Sequence, residues 1–99
     1  MKREDIEQTY KDQGLETDHF IDEPGKVYDS HGHEKTHLLT LAGAAAIKVE
    51  DRPYKIVQPG EEFIVGSGQV HKAVVGPAGW EAIAAWDPAE AAEYPHEAE

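Results

Sequence analysis

Short apolar or alternating segments, separated by turn residues, make up most of the chain beyond Thr17. Alternation with a period of two is typical of strands that bury one face, and clusters of Gly, Pro and Asp between such segments mark tight turns. This pattern predicts an all-β sandwich or barrel. We expect strands at residues 17–22, 26–28, 36–42, 44–50, 54–57, 63–65, 70–75 and 80–85.

Both ends of the chain are predicted to add short helical segments to this sheet. Ile6 and Tyr10 share one face of a helix that Gly14 would end, and a helix of this length is marginal without packing. Further on, Asp87 and Pro88 have the order of an N-cap and a first helical residue. We expect a single domain over residues 1–99, with an N-terminal arm at 1–16, a β-barrel at 17–86 and a C-terminal tail at 87–99.

Two of the predicted strands are apolar on both faces, at residues 37–42 and 63–65. A small barrel that stands alone covers only the inner face of its sheet, so the outer apolar positions require a partner. We therefore expect a homodimer that buries Leu38 and Ile64 between its subunits.

Composition excludes several classes of partner and ligand. The 99 residues carry a formal net charge of −11 without a basic stripe, which argues against nucleic acid and anionic membranes as partners. There is no cysteine, so a metal site would have to use histidine and carboxylate. No segment approaches the roughly 18 apolar residues of a membrane span, and the charged N-terminus does not resemble a signal peptide. We expect a cytoplasmic protein that binds a small molecule.

Four of the six histidines fall into two short stretches of the predicted sheet. His31 and His33 are two residues apart, so in an extended backbone their side chains leave the same face. His37 has the same parity, and His71 would come from a strand elsewhere in the fold. We predict that these four imidazoles bind one divalent metal ion, whereas His19 and His96 have no such neighbours.

Glycines flank both histidine stretches at regular spacings. In the first stretch, five residues separate a glycine from the His-x-His, and a further glycine follows the third ligand position. These residues are Gly25, His31, His33, His37 and Gly43. The second runs in order through Gly60, Gly66, Gly68 and His71. These stretches resemble the two motifs of the cupin superfamily. The resemblance implies a double-stranded β-helix, also called a jelly-roll barrel, with the metal bound between the motifs.

Some positions differ from the family pattern. In the family, three or four residues usually separate the His-x-His from a glutamate, and His37 stands at the shorter of these spacings. Gly66 replaces a proline, and Val75 replaces an asparagine. The set His31, His33, His37 and His71 is similar to that of a minority of cupins with four-histidine sites. Glu34 is an alternative fourth ligand, ranked lower because its strand parity is opposite to that of the histidines.

Four neutral imidazoles would leave the full charge on one divalent transition metal per subunit, which could be Zn, Fe, Ni or Cu, the metals that imidazole suits. The resemblance to four-histidine cupins adds Mn. Such a centre favours anionic oxygen ligands in a cavity that we expect to be lined by Leu39, Leu41, Ala73 and Val75. These features predict a metal-dependent enzyme acting on a small oxygenated metabolite, as a dioxygenase or a Lewis-acid isomerase or cyclase. The alternative is a non-catalytic module that binds a metal or small ligand. No general acid or base stands out among the candidates Tyr28, Tyr54, Lys35 and Lys72.

Overall fold

The computed structural model describes residues 2–32 and 34–93, with the backbone alone at residues 30 and 31. Two helices and six strands follow one another along these residues. In chain order they are α1 (Arg3–Asp12), β1 (Glu16–Asp22), β2 (Val27–His31), β3 (Thr36–Val49), β4 (Lys55–Val57), β5 (Glu62–Val65), β6 (His71–Trp86) and α2 (Pro88–Ala91).

The sheet is organised around β3 and β6, two long strands that pair antiparallel along most of their length. The first half of β3 pairs with the second half of β6, and β5 and β1 complete a four-stranded group that we call the first half-sheet. The second half of β3 pairs with the first half of β6, flanked by β4 and β2, and this group is the second half-sheet. Two half-sheets that share their central strands form the predicted double-stranded β-helix. Among the described residues β1 and β2 pair only with β6, and β4 and β5 only with β3, so the sheet does not close into a continuous ring.

The long strands correct four of the predicted boundaries. Residues 36–42 and 44–50 were expected as separate strands, as were 70–75 and 80–85, but each pair forms one bent strand. The bend in β3 occurs at Gly43, which has a φ of 71°, and it packs against Gly79 of β6, which has a φ of 82°. A Cβ built on Gly43 would lie 2.0 Å from the carbonyl oxygen of Gly79, so the two backbones approach as closely as glycine permits. At Gly43 and Gly79 the turn chemistry therefore produces bulges within strands and not chain reversals.

Each bend also changes which residues face inward. Thr36 and Thr40 are buried before the bend of β3, whereas Ala45, Ile47 and Val49 are buried after it, so the inward parity changes from even to odd. The pairing register shifts at two places in this segment, between Thr40 and Ala42 and between Gly43 and Ala45.

This change of parity decides several predictions about the inner face. Ala73 and Val75 are both buried in the inner core, as expected for this face, but of the two only Ala73 lines the cavity described below. Leu39 and Leu41 were expected beside them, which is wrong: they pack with the buried residues of α1 on the opposite face. Leu38 and Ile64 were expected at a dimer interface, but Leu38 packs against the inner core, whereas Ile64 is exposed.

Helix α1 covers the outer face of the first half-sheet. Ile6 and Tyr10 are buried on its inner side, as predicted, and they pack with Ile83 and Ala85 of β6. The side chain of Arg3 links the helix to the sheet, because its Nη1 lies 2.9 Å from Nδ1 of His19. The helix is therefore stabilised by tertiary packing, which a segment of ten residues requires.

The C-terminal helix begins as predicted. The carboxylate of Asp87 accepts a hydrogen bond from the backbone N–H of Ala89 at 2.9 Å, and Pro88 follows the cap. None of the helices in the described part of the chain is long and apolar enough to cross a membrane.

The outer face of the second half-sheet has no helix over it among the described residues. Val27 pairs with Val74, Val74 with Ala46, and Ala46 with Ile56, so one row of apolar residues crosses all four strands. Val27, Val74 and Ile56 are exposed, with Val27 at 61% and Ile56 at 56%. We call these four residues the outer row.

Replacing Gly43 with alanine tests the close approach between β3 and β6. A Cβ at this position meets both an unfavourable φ and the carbonyl of Gly79, so we expect a loss of more than about 3 kcal/mol in the free energy of unfolding, measured by urea denaturation. Gly14 is the matched control, since its φ is also positive, at 85°, but a Cβ there would meet nothing within 4 Å. Gly14→Ala should cost only about 1–2 kcal/mol. Equal losses would show that the approach of the two strands does not constrain the fold.

Candidate metal and ligand site

A cavity of about 470 Å³ lies between the inner faces of the two half-sheets. This volume falls in the range of small-molecule sites. The first half-sheet contributes seven lining side chains, from Asp18, Phe20, Thr36, Leu38, Trp80, Ala84 and Trp86. The second half-sheet contributes Tyr28, Ile47, His71 and Ala73. The segment that joins β2 to β3 adds Glu34, and α2 adds Ala91.

Aromatic side chains form much of the wall on the first half-sheet. Phe20 and Trp80 pack edge to face, with ring centroids 5.1 Å apart and planes at 79°. The indole N–H of Trp80 donates to the hydroxyl of Thr40 at 2.9 Å, so its polar group is satisfied within the core and does not face the cavity as a free donor. Trp86 lines the cavity as well, and the chain contains no other tryptophan than these two. This wall is therefore largely aromatic and apolar, with Asp18 as its one charged residue among the described lining residues.

The polar groups of the cavity are concentrated near the start of β3 and the start of β6. Glu34, Thr36 and His71 line it and are 4%, 7% and 8% exposed. The hydroxyl of Thr36 donates to the carbonyl of Glu34 at 3.0 Å. Burial of a carboxylate and an imidazole at one cavity is uncommon unless the groups are paired or bind a ligand.

One hydrogen bond orients the imidazole of His71. Its Nδ1 lies 3.2 Å from the backbone carbonyl oxygen of Gln69. A carbonyl oxygen only accepts, so Nδ1–H is the donor, and this tautomer leaves the lone pair on Nε2. Histidines that bind metals usually donate their other N–H in this way, so His71 has the arrangement that a ligand requires.

The structure brings one further predicted ligand to this place through its backbone. His31 is the direct register partner of His71 across the antiparallel pair of β2 and β6. Directly paired residues lie about 5 Å apart between Cα atoms, which is the closest approach that sheet neighbours make. His33 and the side chain of His31 lie outside the described part of the structure. Within the described side chains, no group of three His, Asp or Glu residues is arranged to hold a metal ion.

His37 lies on the opposite face of β3 from this cavity. Its Nδ1 is 3.2 Å from a carboxylate oxygen of Glu62, and its ring centroid is 5.6 Å from that of Tyr10 in α1. The prediction carried the parity of His31 and His33 through to His37 along an extended chain, but the backbone bends at Glu34, and Thr36 and Leu38 then face inward. The structure thus places Glu34 and His71 at the same cavity and His37 on the opposite face of β3.

The family spacing contained a signal for this outcome. The pattern allows three or four residues before its glutamate, and the longer spacing ends at Leu38, which lines the cavity. An apolar residue then occupies the usual carboxylate position. Among the described residues, the carboxylate nearest in sequence to the histidine motif that also lines the cavity is Glu34.

His37 instead belongs to a cluster between α1 and the sheet. The hydroxyl of Tyr10 donates to Glu62 at 2.5 Å, and the same carboxylate oxygen faces His37. Burial, reinforced by the hydrogen bond to Glu62, raises the pKa of Tyr10, so its hydroxyl stays protonated as a donor. These contacts attach the helix to β5.

Tyr28 is the one candidate acid or base from the sequence that lines the cavity. Its hydroxyl donates to the buried carboxylate of Asp22 at 2.6 Å, and burial raises its pKa. Lys26 reinforces this pair, with its ammonium 3.4 Å from Asp22 and 4.8 Å from the centroid of the Tyr28 ring. The phenol proton is therefore engaged with Asp22.

The structure resembles many solved proteins with the cupin fold. A cupin superfamily protein from Desulfitobacterium hafniense superposes with a TM-score of 0.65 at 18% identity, over 73% of this chain and 65% of that one. KdgF from Halomonas sp. gives a TM-score of 0.68 at 22% identity, over 76% of this chain and 70% of that one. The DMSP lyase DddQ from Ruegeria pomeroyi gives 0.69 at 24% identity, over 74% of this chain but only 38% of the lyase.

These similarities show that the chain has the cupin fold, a double-stranded β-helix, as the two motifs predicted. The sequence matches no family model and no curated protein. The similarity to the solved structures is therefore a similarity of architecture. The chain spans about two thirds of the length of the Desulfitobacterium protein and less than half of the length of the lyase.

Proposed function

We propose that this protein is a metal-dependent cupin in which His31, His33 and His71 bind one divalent transition metal and Glu34 supplies a carboxylate ligand. The observation that carries the proposal is the burial of Glu34 and His71 at one cavity, with His31 paired to His71 in the sheet. Imidazole and carboxylate together suit zinc, manganese and iron, and imidazole suits nickel and copper. A solved cupin neighbour, oxalate decarboxylase from Bacillus subtilis, has Mn(II) centres, which is consistent with a metal in this fold.

The choice of Glu34 over His37 changes the chemistry of the centre. Three neutral imidazoles and one carboxylate reduce the net charge of a divalent site to about +1, whereas four imidazoles would leave it at +2. When bound, the metal would supply a Lewis acid that polarises an oxygen of the ligand. With three histidines and one carboxylate, the metal is a weaker Lewis acid than with four histidines, and it is oxidised more easily. Such a site is compatible with both redox-neutral and oxygen-dependent reactions.

The residues around the centre have distinct roles in this proposal. The carbonyl of Gln69 accepts from Nδ1–H of His71, so Nε2 is the ring atom that would bind the metal. The apolar side chains of Phe20 and Trp80 offer no hydrogen-bonding group to the cavity, so this part of the wall favours the apolar part of a ligand. Tyr28 donates its only proton to Asp22, and burial raises its pKa so that it stays protonated. Its phenol oxygen can therefore accept a hydrogen bond in the cavity, but Tyr28 supplies neither a proton nor a base there.

Two functions follow from such a site. The first is an enzyme that acts on a small oxygenated metabolite, as a dioxygenase or a Lewis-acid isomerase or cyclase. The second is a non-catalytic module that binds a metal or small ligand, and it is favoured by the engagement of the Tyr28 proton with Asp22. Metal analysis followed by oxygen-uptake and product assays separates the two, because retained metal without turnover supports the binding module.

Metal content of protein purified without a histidine tag tests the ligand set. We expect about one metal ion per chain in the wild type, and His71→Ala should weaken metal binding more than about 100-fold because it removes a ligand. His19→Ala is the control, since His19 lies on the outer face between Arg3 and Glu81. If elemental analysis finds the same metal content in both variants, His71 is not a ligand.

A second pair of variants decides the fourth ligand. Glu34→Gln should lower metal affinity, because a neutral amide replaces the carboxylate, and His37→Gln should leave it unchanged while weakening the contact between α1 and Glu62. Competition with a fluorescent chelator measures the first effect, and thermal unfolding of the metal-free protein measures the second. Loss of metal in His37→Gln alone would restore the four-histidine set.

The homodimer predicted from the sequence also remains a proposal, with its surface moved to the outer row. The first half-sheet has α1 over its outer face, but the outer row leaves exposed valine and isoleucine side chains in contact with solvent. A contiguous exposed apolar surface of this kind marks an interaction site, and a second copy would bring the same row to cover it.

Sedimentation equilibrium tests the dimer. The wild type should have about twice the chain mass of 10.9 kDa, and Val74→Glu should shift it to the monomer by placing a charge within the outer row. Ile21→Glu introduces the same charge at an exposed position outside that row and should leave the mass unchanged. A monomeric wild type would reject the proposal.

A further inference from the structure

We propose that the ligand of the cavity is a small molecule with a flat, uncharged, apolar body, such as an aromatic ring, and a single pair of oxygens at one edge. The inference of an oxygen pair depends on the metal site proposed above, whereas the inference of an apolar body depends only on the residues that line the cavity. This class differs from sugar acids and from small dicarboxylates, which present polar or charged groups on several sides.

The two walls of the cavity differ in chemistry, and this difference orients the ligand. Phe20, Trp80 and Trp86 line it from the first half-sheet, while His71 lines it from the second. Aromatic side chains bind flat apolar groups by stacking or edge-to-face contact. A ligand bound across the cavity would therefore rest its body against the first half-sheet and turn its oxygen edge toward His71 and Glu34.

Size and polarity restrict the body of the ligand. A cavity of about 470 Å³ holds one or two fused rings with their substituents. The indole N–H of Trp80 is engaged by Thr40, and the hydroxyl of Tyr28 by Asp22, so these two polar groups already have partners. A ligand with hydroxyl groups around its body would have to bury several of them against carbon, at a cost of about 1–3 kcal/mol for each one left unpaired.

Charge restricts the ligand further. The carboxylates of Asp18 and Glu34 line the cavity, and among its described lining residues there is no lysine or arginine. An anionic group away from the metal would therefore face negative charge without a cation to balance it. One anionic edge can be neutralised by the metal, but a second cannot.

The position of both tryptophans at this cavity provides a direct measurement. N-phenyl-1-naphthylamine is a neutral, flat, apolar fluorophore that accepts excitation energy from tryptophan and brightens in apolar surroundings. We expect it to bind the wild-type protein, to quench the tryptophan emission and to emit by energy transfer. The titration is run on protein as purified and after removal of metal with a chelator, and binding should persist in both, because the apolar wall does not depend on the metal.

Variants within and outside the cavity locate the binding site. Ala84→Phe fills the cavity from the first half-sheet and Ala73→Leu from the second, and each should weaken binding of the fluorophore at least about tenfold. Ala42→Phe is the control, since Ala42 is exposed on the same pair of strands, and it should bind like the wild type. Circular dichroism confirms that each variant is folded, and the two cavity variants are independent of each other.

The outcomes separate this inference from the metal proposal. Absence of fluorophore binding, or equal binding in the cavity and control variants, overturns the apolar ligand class even if metal is bound. A change in tryptophan emission with galacturonate or oxalate on the metal-loaded protein, without a change with 4-methylcatechol, also overturns it. Fluorophore binding in a protein that binds no metal supports the apolar cavity and rejects only the oxygen edge.

Discussion

The backbone contact between Gly43 and Gly79 is the constraint on which the rest of the structure depends. At this point β3 and β6 approach so closely that a side-chain carbon on Gly43 would overlap a carbonyl oxygen. The two strands can pair on both sides of the contact only by bending together, and the bend folds one long ladder into two half-sheets that face each other. The cavity is the space between them.

The bend also sorts the side chains into two separate packing clusters. Because the inward parity of β3 changes at the bend, Ile47 and Trp80 reach the same inner core from opposite half-sheets, while Leu39 and Leu41 remain on the outside for α1 to cover. An inner cluster that does not fill the space between the half-sheets leaves a lined cavity, and the polar residues Glu34 and His71 lie at one part of its wall. A candidate metal centre and an aromatic wall are thus consequences of one backbone geometry.

Most elements could be predicted from local sequence, because their causes are local. The spacing of Ile6 and Tyr10 determines the buried face of α1, and the Asp87 cap begins α2 with the hydrogen bond that its side chain was expected to accept. The cupin motifs predicted the architecture correctly, since their glycines occur where the strands bend or turn. The prediction divided β3 and β6 because a glycine with positive φ marks a reversal and a bulge equally well.

By itself, the sequence determined that this protein is a cupin-type β structure, because the spacing of its glycines and histidines can be read directly. It also determined that any metal ligands come from histidine and carboxylate side chains, because there is no cysteine. Only the tertiary structure decided which face each residue takes. Parity arguments fail where a strand bends, because one irregular residue moves every following side chain to the other face. For that reason the structure placed His37 beside Tyr10 and Glu62, and Glu34 at the cavity with His71.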